Sequence, residues 1–222
     1  SQAIKLIRKA AKSYPLSVVG IAGPGDPLAN KETFETFKLI DKEFPELMKC
    51  LSTNGLYLLE CMEELKKLRI ASLSVTVNAV NPRTAARIYD FVSWNGKVYK
   101  GLTGAKILVE KQLCGIKEAV KAGIKTKINT VLIPGINKRE ILSIAKLYGS
   151  IGVNIMNIMP IIPIFRMSRE RTPTCEEIKK ARGKCEKYIP QFRLCKQCRA
   201  DALGIPGLER KNLSNPIEYF HF

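Results

Sequence analysis

Short apolar runs alternate with helical segments along most of this sequence, and this alternation constrains the fold more than any other feature. Repeated strand–helix units build a parallel sheet that is covered by helices. Polar residues stand at or near the carboxyl end of each run, which is where an α/β barrel carries its site. The spacing of apolar residues predicts strands at residues 16–22, 47–52, 71–80, 125–133 and 153–158.

Five strands are too few to close an eight-stranded barrel, and the sequence begins on a helical pattern. We therefore predict the α/β class, with a partial (βα)6-type TIM barrel whose first βα unit is missing or incomplete. Residues 1–190 are assigned to this barrel and residues 191–222 to a C-terminal tail. The local pattern predicts a helix over 56–68, a loop insertion over 91–100, and a helix capped by Asn137 with Glu140 at its third position.

Composition narrows the class of protein. The 222 residues are 45% hydrophobic, which suits one domain with a sizeable core. No apolar run has the length of a membrane helix, and the first residues do not resemble a signal peptide. We therefore expect a cytoplasmic protein with no membrane partner.

The charge balance is strongly basic. The sequence has 37 lysines and arginines against 20 acidic residues, and the resulting net charge of +17 would attract nucleic acid or an acidic protein. The basic residues are scattered over polar helix faces, with no compact arginine patch interleaved with aromatic residues. This distribution favours a solvated lysine surface, and we expect no nucleic-acid partner.

Seven cysteines and a single histidine, His221, limit the possible metal chemistry. Cys195 and Cys198 form a CxxC pair, which brings two thiolates within reach of one metal or cluster but needs further ligands. Cys50 lies near the end of a predicted strand, where it is either a small buried residue or a ligand. The other cysteines lie on predicted helices and are interpreted as structural: Cys61, Cys114, Cys175 and Cys185.

A stiff loop follows the first predicted strand. Glycine allows unusual backbone conformations and close approach to a ligand, whereas proline fixes φ. The loop is therefore either an ordinary turn or a cradle that presents backbone groups to a small polar molecule. Its central residues are Gly23, Pro24, Gly25, Asp26 and Pro27.

Hydroxyl and amide side chains end the following strands. Ser52, Thr53 and Asn54 come after the second strand, and Ser74 and Thr76 share one face of the third. Such groups bind either a ligand's ribose or carboxylate, or the backbone nearby, because buried hydroxyls need partners. Lys127 and Asn129 share a face of the fourth strand, where a lysine indicates a nearby anionic group or an edge position.

Four motifs together closely resemble the radical S-adenosylmethionine (SAM) family of nitrogenase cofactor biosynthesis. They are GPGDPLAN at 23–30, STNG at 52–55, VTVNAV at 75–80 and CKQCRADALG at 195–204. The likeness extends over nearly the whole chain, from Ser1 to about Glu209. It implies an enzyme that fuses two [4Fe-4S] clusters and inserts a carbide derived from the SAM methyl group. The product would be the eight-iron precursor of the nitrogenase cofactor.

The resemblance also implies roles for individual residues. The loop from Gly23 to Pro27 would bind the amino group of SAM, with Ser52, Thr53 and Asn54 beside the methionine moiety. On the third strand, Thr76 would contact the ribose or carboxylate of SAM, and Ser74 lies on the same face. On the fourth strand, Ile128 and Asn129 would lie near the adenosine. The substrate clusters would be held by Cys195 and Cys198 on one side and by Cys50 on the other.

One departure from the family pattern concerns the SAM-cleaving cluster. The family's CxxxCxxC triad does not occur in residues 1–222, and we expect it before Ser1. We therefore expect that this segment alone cannot cleave SAM. The implied partners are iron–sulfur cluster donors and nitrogenase cofactor carrier or assembly proteins, and we expect a monomer.

Two other functions remain open. The first is a radical SAM enzyme that modifies RNA, which the basic charge would suit but which the CxxC tail with few aromatic residues disfavours. The second is a non-catalytic scaffold that carries iron–sulfur clusters. A CxxxCxxC before Ser1 would support either enzyme, and its absence would support the scaffold.

Overall fold

The structure is a computed structural model that describes residues 2–23 and 25–193. Its main sheet has five parallel strands in the order β1-β2-β3-β6-β7, and the remaining two strands form a separate antiparallel pair. The strands are β1 (Val18–Ile21), β2 (Met48–Thr53), β3 (Ser72–Thr76), β4 (Phe91–Trp94), β5 (Lys97–Lys100), β6 (Lys125–Leu132) and β7 (Ile155–Pro160).

Helices connect consecutive parallel strands, as crossover connections require. Among the described residues none of these helices is long and apolar enough to cross a membrane. The helices are α1 (Gln2–Ser13), α2 (Lys31–Glu43), α3 (Met62–Lys67), α4 (Pro82–Ile88), α5 (Gly101–Lys121), α6 (Glu140–Ile151) and α7 (Cys175–Cys185).

The two faces of the main sheet have different chemistry, because successive side chains of a strand point to opposite sides. On one face Leu51, Leu73, Val75 and Ile128 are at most 2% exposed and belong to the core shared with the helices. The alternate side chains are half-buried or exposed. We call this second side the open face, defined by Cys50, Ser52, Ser72, Ser74, Thr76, Lys125, Lys127 and Asn129.

A short chain segment continues the sheet beyond β7. Gln191 forms a parallel bridge with Met156, whose N–H donates to the carbonyl of Pro190 at 2.8 Å. The N–H of Phe192 in turn donates to the carbonyl of Met156 at 2.7 Å. The chain therefore leaves the barrel alongside the last strand of the sheet.

The expected loop insertion at 91–100 is wrong, because this segment forms the β4–β5 hairpin. Asn95 and Gly96 have φ values of 49° and 72°, the left-handed conformation that an Asn-Gly hairpin turn requires. Val92 is 5% exposed and packs with Leu56 and Leu108. The hairpin is thus packed onto the helical layer.

Three other local expectations need correction. The helix expected over 56–68 begins only at Met62, and the strand expected over 71–80 ends at Thr76. Helix α6 begins at Glu140, with Arg139 rather than Asn137 at its N-cap. Asn137 is fully buried and bonds to strand-end backbone instead, while Glu140 accepts hydrogen bonds from the N–H groups of Val80 and Asn81 at 2.9 and 3.0 Å.

Candidate functional site

The loop after β1 is tied to the end of β2 by the carboxylate of Asp26. Its Oδ1 accepts from the N–H of Leu28 at 3.0 Å, and both oxygens accept from the hydroxyl of Thr53 at 2.9 Å. Its Oδ2 also accepts from the N–H of Asn54 at 2.6 Å. Hydrogen bonds to a charged acceptor are short and strong. Asp26 and Thr53 therefore hold the loop in place.

The backbone of this loop is shaped by its two glycines. Gly23 and Gly25 have φ values of 126° and 79°, which side chains rarely adopt. A Cβ built on Gly25 would meet nothing within 4 Å, so its backbone faces open space. Pro24 lies outside the described residues, and Pro27 is buried at the start of a short 3-10 turn. The loop can thus present backbone groups at the carboxyl end of the sheet.

A buried glutamine joins the ends of β2 and β3, and the sequence analysis missed it. The Nε2 of Gln112, on α5, donates to the carbonyl of Asn54 at 2.6 Å and to that of Thr76 at 2.9 Å. Gln112 is only 1% exposed. Asn54 is exposed, and its Oδ1 accepts from the N–H of Leu56 at 2.8 Å. Helix α5 therefore sets the spacing of two strand ends through one amide.

Polar side chains form two rows across the open face. Ser52 is in register with Ser74, and Thr76 is in register with Asn129. Asn157 of β7 extends the second row, and its Nδ2 donates to the Oδ1 of Asn129 at 3.3 Å. All these side chains except that of Asn157 are half-buried. The rows place hydroxyls and amides toward the carboxyl ends of the strands, the edge of the sheet that also carries the loop of Gly23 to Pro27.

Asn157 carries an unused hydrogen-bond acceptor, a second feature that the sequence analysis did not select. Its side chain is 1% exposed, and no residue of the described chain donates to its Oδ1. Buried polar atoms normally have partners, so an unpaired one calls for an explanation. A ligand N–H or O–H at this row would satisfy it, and the residues present therefore fit an adenosine-like group.

Ile128 is placed differently from what the sequence analysis expects. Its side chain is buried on the helix-covered face and pairs in register with Val75 and Met156, which are also in the core. Because strand side chains alternate, only the backbone of Ile128 is available to a ligand on the open face. Its neighbour Asn129 presents its side chain to that face.

Another buried amide ties β3 to β6. The Nδ2 of Asn137 donates to the carbonyls of Asn78 and Val131 at 2.9 and 2.8 Å, and its Oδ1 accepts from the N–H of Ile133 at 2.8 Å. The Oδ1 of Asn78 accepts from the N–H of Val131 at 2.9 Å. These bonds hold the strand ends beside the candidate site. The hydroxyl of Tyr89 accepts from the Nδ2 of Asn78 at 3.1 Å. Burial raises the pKa of Tyr89 to about 12, so this phenol stays neutral.

The expected cluster ligands are only partly described. Cys50 is half-buried on the open face, and the hydroxyl of Ser72 donates to its sulfur at 2.8 Å. Cys195 and Cys198 lie outside the described residues. Within residues 2–23 and 25–193, no group of three or more histidine, cysteine or acidic residues could hold a metal. Cys50 therefore lacks further protein ligands in that part of the chain.

The remaining cysteines differ in exposure. Burial, helped by Glu60, Asp26 and Glu64, raises the pKa of Cys61 to about 11, and burial alone raises that of Cys185 to about 11. Their thiols donate to the carbonyls of Leu28 and Ile141 at 3.7 and 3.6 Å. Cys175 is exposed at the first residue of α7 and is no part of the core.

These differences predict the pattern of thiol alkylation. At about pH 8 we expect iodoacetamide to label Cys175 readily and Cys61 and Cys185 slowly, because only the thiolate reacts. Labelling of the half-buried Cys61 and the buried Cys185 is expected to accelerate as the pH approaches their raised pKa values. Peptide mass spectrometry measures each site, and equal labelling of all three cysteines at the lower pH would contradict the assignment.

Comparison with known proteins places this geometry in a family. Residues 1–148 match the radical SAM superfamily. A radical SAM methyltransferase from Sphaerobacter thermophilus has a similar fold, with a TM-score of 0.63 at 17% identity over 86% of this chain and 55% of that one. The likeness confirms the partial radical SAM barrel expected from the sequence.

Curated relatives give a closer match. The FeMo cofactor biosynthesis protein NifB of Methanocaldococcus infernus is 53% identical over 200 residues, and that of Methanocaldococcus jannaschii is 54% identical over 200 residues. Each alignment covers 90% of this chain and 66% of the relative, so the chain spans just under two thirds of their length. The chain therefore belongs to the radical SAM superfamily and is a relative of the NifB proteins of FeMo cofactor biosynthesis.

Proposed function

We propose that this chain is the barrel portion of a radical SAM enzyme of nitrogenase cofactor assembly. The enzyme fuses two [4Fe-4S] clusters and inserts a carbide derived from the SAM methyl group. The observation that carries the proposal is the polar end of the sheet, where the loop tied to β2 by Asp26 lies at the same edge as the row formed by Thr76, Asn129 and Asn157. The identity to NifB proteins supports the substrate class.

The described residues have distinct tasks in SAM binding. Backbone groups from Gly23 to Pro27 bind the amino group, and Asp26 and Thr53 keep that loop aligned. Ser52 and Asn54 line the methionine end, and Ser74 and Thr76 bind the carboxylate or ribose. SAM held by these residues would supply the methyl group from one molecule; a second molecule, cleaved with one electron from the SAM-cleaving cluster, would supply the radical that abstracts hydrogen from that methyl group.

The amide row fixes the nucleoside end of the same ligand. Asn129 contacts the adenosine with its side chain, Ile128 with its backbone, and Asn157 through its unpaired Oδ1. Because both amides are held by neighbouring strands, they are oriented before the ligand arrives. This pre-ordering lowers the entropy that binding costs.

The residues of this chain do not fit the SAM-cleaving cluster, because residues 1–222 contain no CxxxCxxC. Those thiolates come, in our proposal, from sequence outside this segment. Cys195 and Cys198 hold one substrate cluster and Cys50 is a ligand of the other. The enzyme acts as a cytoplasmic monomer that receives clusters from donor proteins and passes its product to nitrogenase cofactor carriers.

SAM cleavage tests the proposal. Under anaerobic reduction we expect the full chain, as its gene encodes it, to form 5′-deoxyadenosine, whereas residues 1–222 alone form none. Product is measured by chromatography against a SAM-free control. If residues 1–222 alone formed 5′-deoxyadenosine, the assignment of the CxxxCxxC cysteines to sequence outside this segment would be contradicted. If neither protein formed it, the result would favour a non-catalytic scaffold that carries iron–sulfur clusters.

Iron counting tests the ligand assignment separately. Three four-iron clusters hold about twelve irons, so the Cys195→Ala/Cys198→Ala variant of the full chain is expected to lose about a third of them. The exposed Cys175 offers a matched control, and Cys175→Ala is expected to keep all its iron. Full iron content in the double variant would show that the CxxC is not a ligand pair.

A further inference from the structure

Large apolar side chains are exposed on two segments of the described chain, the β4–β5 hairpin and the loop after β7. On the hairpin they share one face, because Phe91 pairs with Lys100 and Ser93 with Val98, while Val92 is buried on the other face. Clustered exposed apolar side chains typically mark an interaction site. We call this group the rim surface; its members are 54–89% exposed and are Phe91, Val98, Ile162, Ile164 and Phe165.

An ion pair joins the two segments of the rim surface. The carboxylate of Asp90, the residue before β4, pairs with the guanidinium of Arg166 in the loop after β7. Met167 of the same loop packs against the cluster that contains Ala85 and Ile88 of α4, the helix that leads to the hairpin. Because this loop begins at the carboxyl end of β7, the rim surface lies at the edge of the sheet that also carries the candidate site.

Phe165 has an unfavourable backbone conformation. Its φ is 49°, in the left-handed region where a bulky residue is an outlier. Its side chain is 89% exposed, so burial within this chain does not compensate the strain. Strained residues persist where function needs them. A partner that covers the ring explains why phenylalanine stands at this position.

The surroundings of the rim surface are basic. Residues 90–106 and 161–173 contain six lysines and arginines against two acidic residues. Lys97 and Arg169 are exposed, and no carboxylate of the described chain forms an ion pair with either of them. A second copy of this chain, with its net charge of +17, would be repelled. Charge complementarity therefore favours an acidic partner.

The apolar side chains favour a protein over RNA as that partner. Single-stranded nucleic acid binds to aromatic side chains on which its bases stack. Val98, Ile162 and Ile164 are aliphatic and offer no such platform. An aromatic anchor among aliphatic side chains and arginines is instead typical of a protein–protein interface.

We propose that the rim surface docks an acidic cofactor carrier protein, with Phe165 as the apolar anchor and the surrounding cations as steering charges. The inference rests on the proposed function and adds the place where the product leaves the enzyme. Because the rim surface and the candidate site share one edge of the sheet, a docked carrier receives the product over a short path.

The test measures binding of the purified cofactor carrier protein of the same organism to the immobilised full chain. Phe165→Asn removes the ring and introduces a residue that tolerates left-handed backbone. Tyr14→Asn is its control, because Tyr14 is 56% exposed but precedes β1 at the opposite edge of the sheet. Lys97→Glu tests the charge, and Lys117→Glu, at an exposed position late in α5, changes the net charge equally.

We expect Phe165→Asn to weaken carrier binding at least about tenfold, as loss of an aromatic anchor does. Lys97→Glu is expected to slow association about threefold at low salt and much less at high salt. Both control variants are expected to bind within about twofold of the wild type. Biolayer interferometry measures these constants, and circular dichroism and thermal unfolding verify that each variant folds.

A wild-type chain that does not bind the carrier would overturn the inference, and so would equal binding by Phe165→Asn and the wild type. A single-stranded oligoribonucleotide is the competing probe. If Phe165→Asn and Lys97→Glu lost binding to this RNA but not to the carrier, the rim surface would be assigned to nucleic acid and the inference would be wrong.

SAM cleavage separates this inference from the proposed function. Phe165→Asn in the full chain is expected to form 5′-deoxyadenosine at the wild-type rate, because Phe165 contacts no part of the SAM site. A full chain that cleaves SAM but does not bind the carrier would contradict only the docking. A full chain that binds the carrier through Phe165 but forms no 5′-deoxyadenosine would contradict only the proposed enzyme activity.

Discussion

Asp26→Ala is expected to weaken SAM binding at least about tenfold and to lower the free energy of unfolding by about 2–4 kcal/mol. The substitution removes the acceptor for the Leu28 and Asn54 N–H groups and for the Thr53 hydroxyl. The loop then loses its connection to β2, and its backbone no longer faces the ligand in a fixed orientation. Equilibrium dialysis with SAM and urea unfolding measure the two effects.

Asn30→Ala is the matched control for this prediction. Asn30 also accepts a backbone hydrogen bond, from the N–H of Glu32 at 3.0 Å, but it caps α2 and does not bond to β2. Loss of such a cap costs about 1 kcal/mol and is expected to leave SAM affinity unchanged. Equal SAM binding by the Asp26→Ala variant and the wild type would show that the loop does not contact SAM.

Gln112→Leu is expected to destabilise the barrel by about 2–3 kcal/mol, because it leaves two strand-end carbonyls without a donor in a buried position. Leucine has a similar volume, so little of this loss comes from a cavity. Since the carbonyls belong to Asn54 and Thr76, SAM affinity is expected to fall as well. Urea unfolding measures the change in the free energy of unfolding, and equilibrium dialysis measures the change in SAM affinity.

Glu110→Gln on the same helix provides the comparison. Glu110 is exposed, so its substitution is expected to change stability by no more than about 0.5 kcal/mol. Gln112→Glu, which directs a carboxylate at the two carbonyl oxygens, is expected to be worse than Gln112→Leu. Wild-type stability in both Gln112 variants would contradict the role of this residue in spacing β2 and β3.

The parallel sheet could be predicted from the sequence because its causes are local. Each strand is an apolar run followed by an amphipathic helix, and a crossover connection leaves few choices of strand order. The capping box of α7 is local in the same way, because its two members, Thr174 and Glu177, stand three residues apart in the sequence. The β4–β5 hairpin was missed although Asn95-Gly96 is the usual signal for such a turn.

The connections between strand ends could not be predicted, because they join residues far apart in the sequence. In the sequence, Gln112 is an ordinary polar residue within a predicted helix. Only the packed structure brings it to Asn54, which is 58 residues away. Asn137 looked like a helix cap for the same reason. Ile128 shows a different limit of sequence-based prediction. Resemblance to a family identifies a segment near the ligand, but the alternation of side chains along the strand decides which residue of that segment faces the ligand.

The bridge between Gln191 and Met156 has a consequence for competition with free thiols and chelators. Because the bridge fixes Gln191 beside β7, cluster binding by Cys195 and Cys198, as in the proposed function, would be an intramolecular event. A short tether of this kind gives an effective concentration in the millimolar range. The tail would therefore recapture a cluster faster than dilute external ligands remove it, and a longer connection would reduce that advantage.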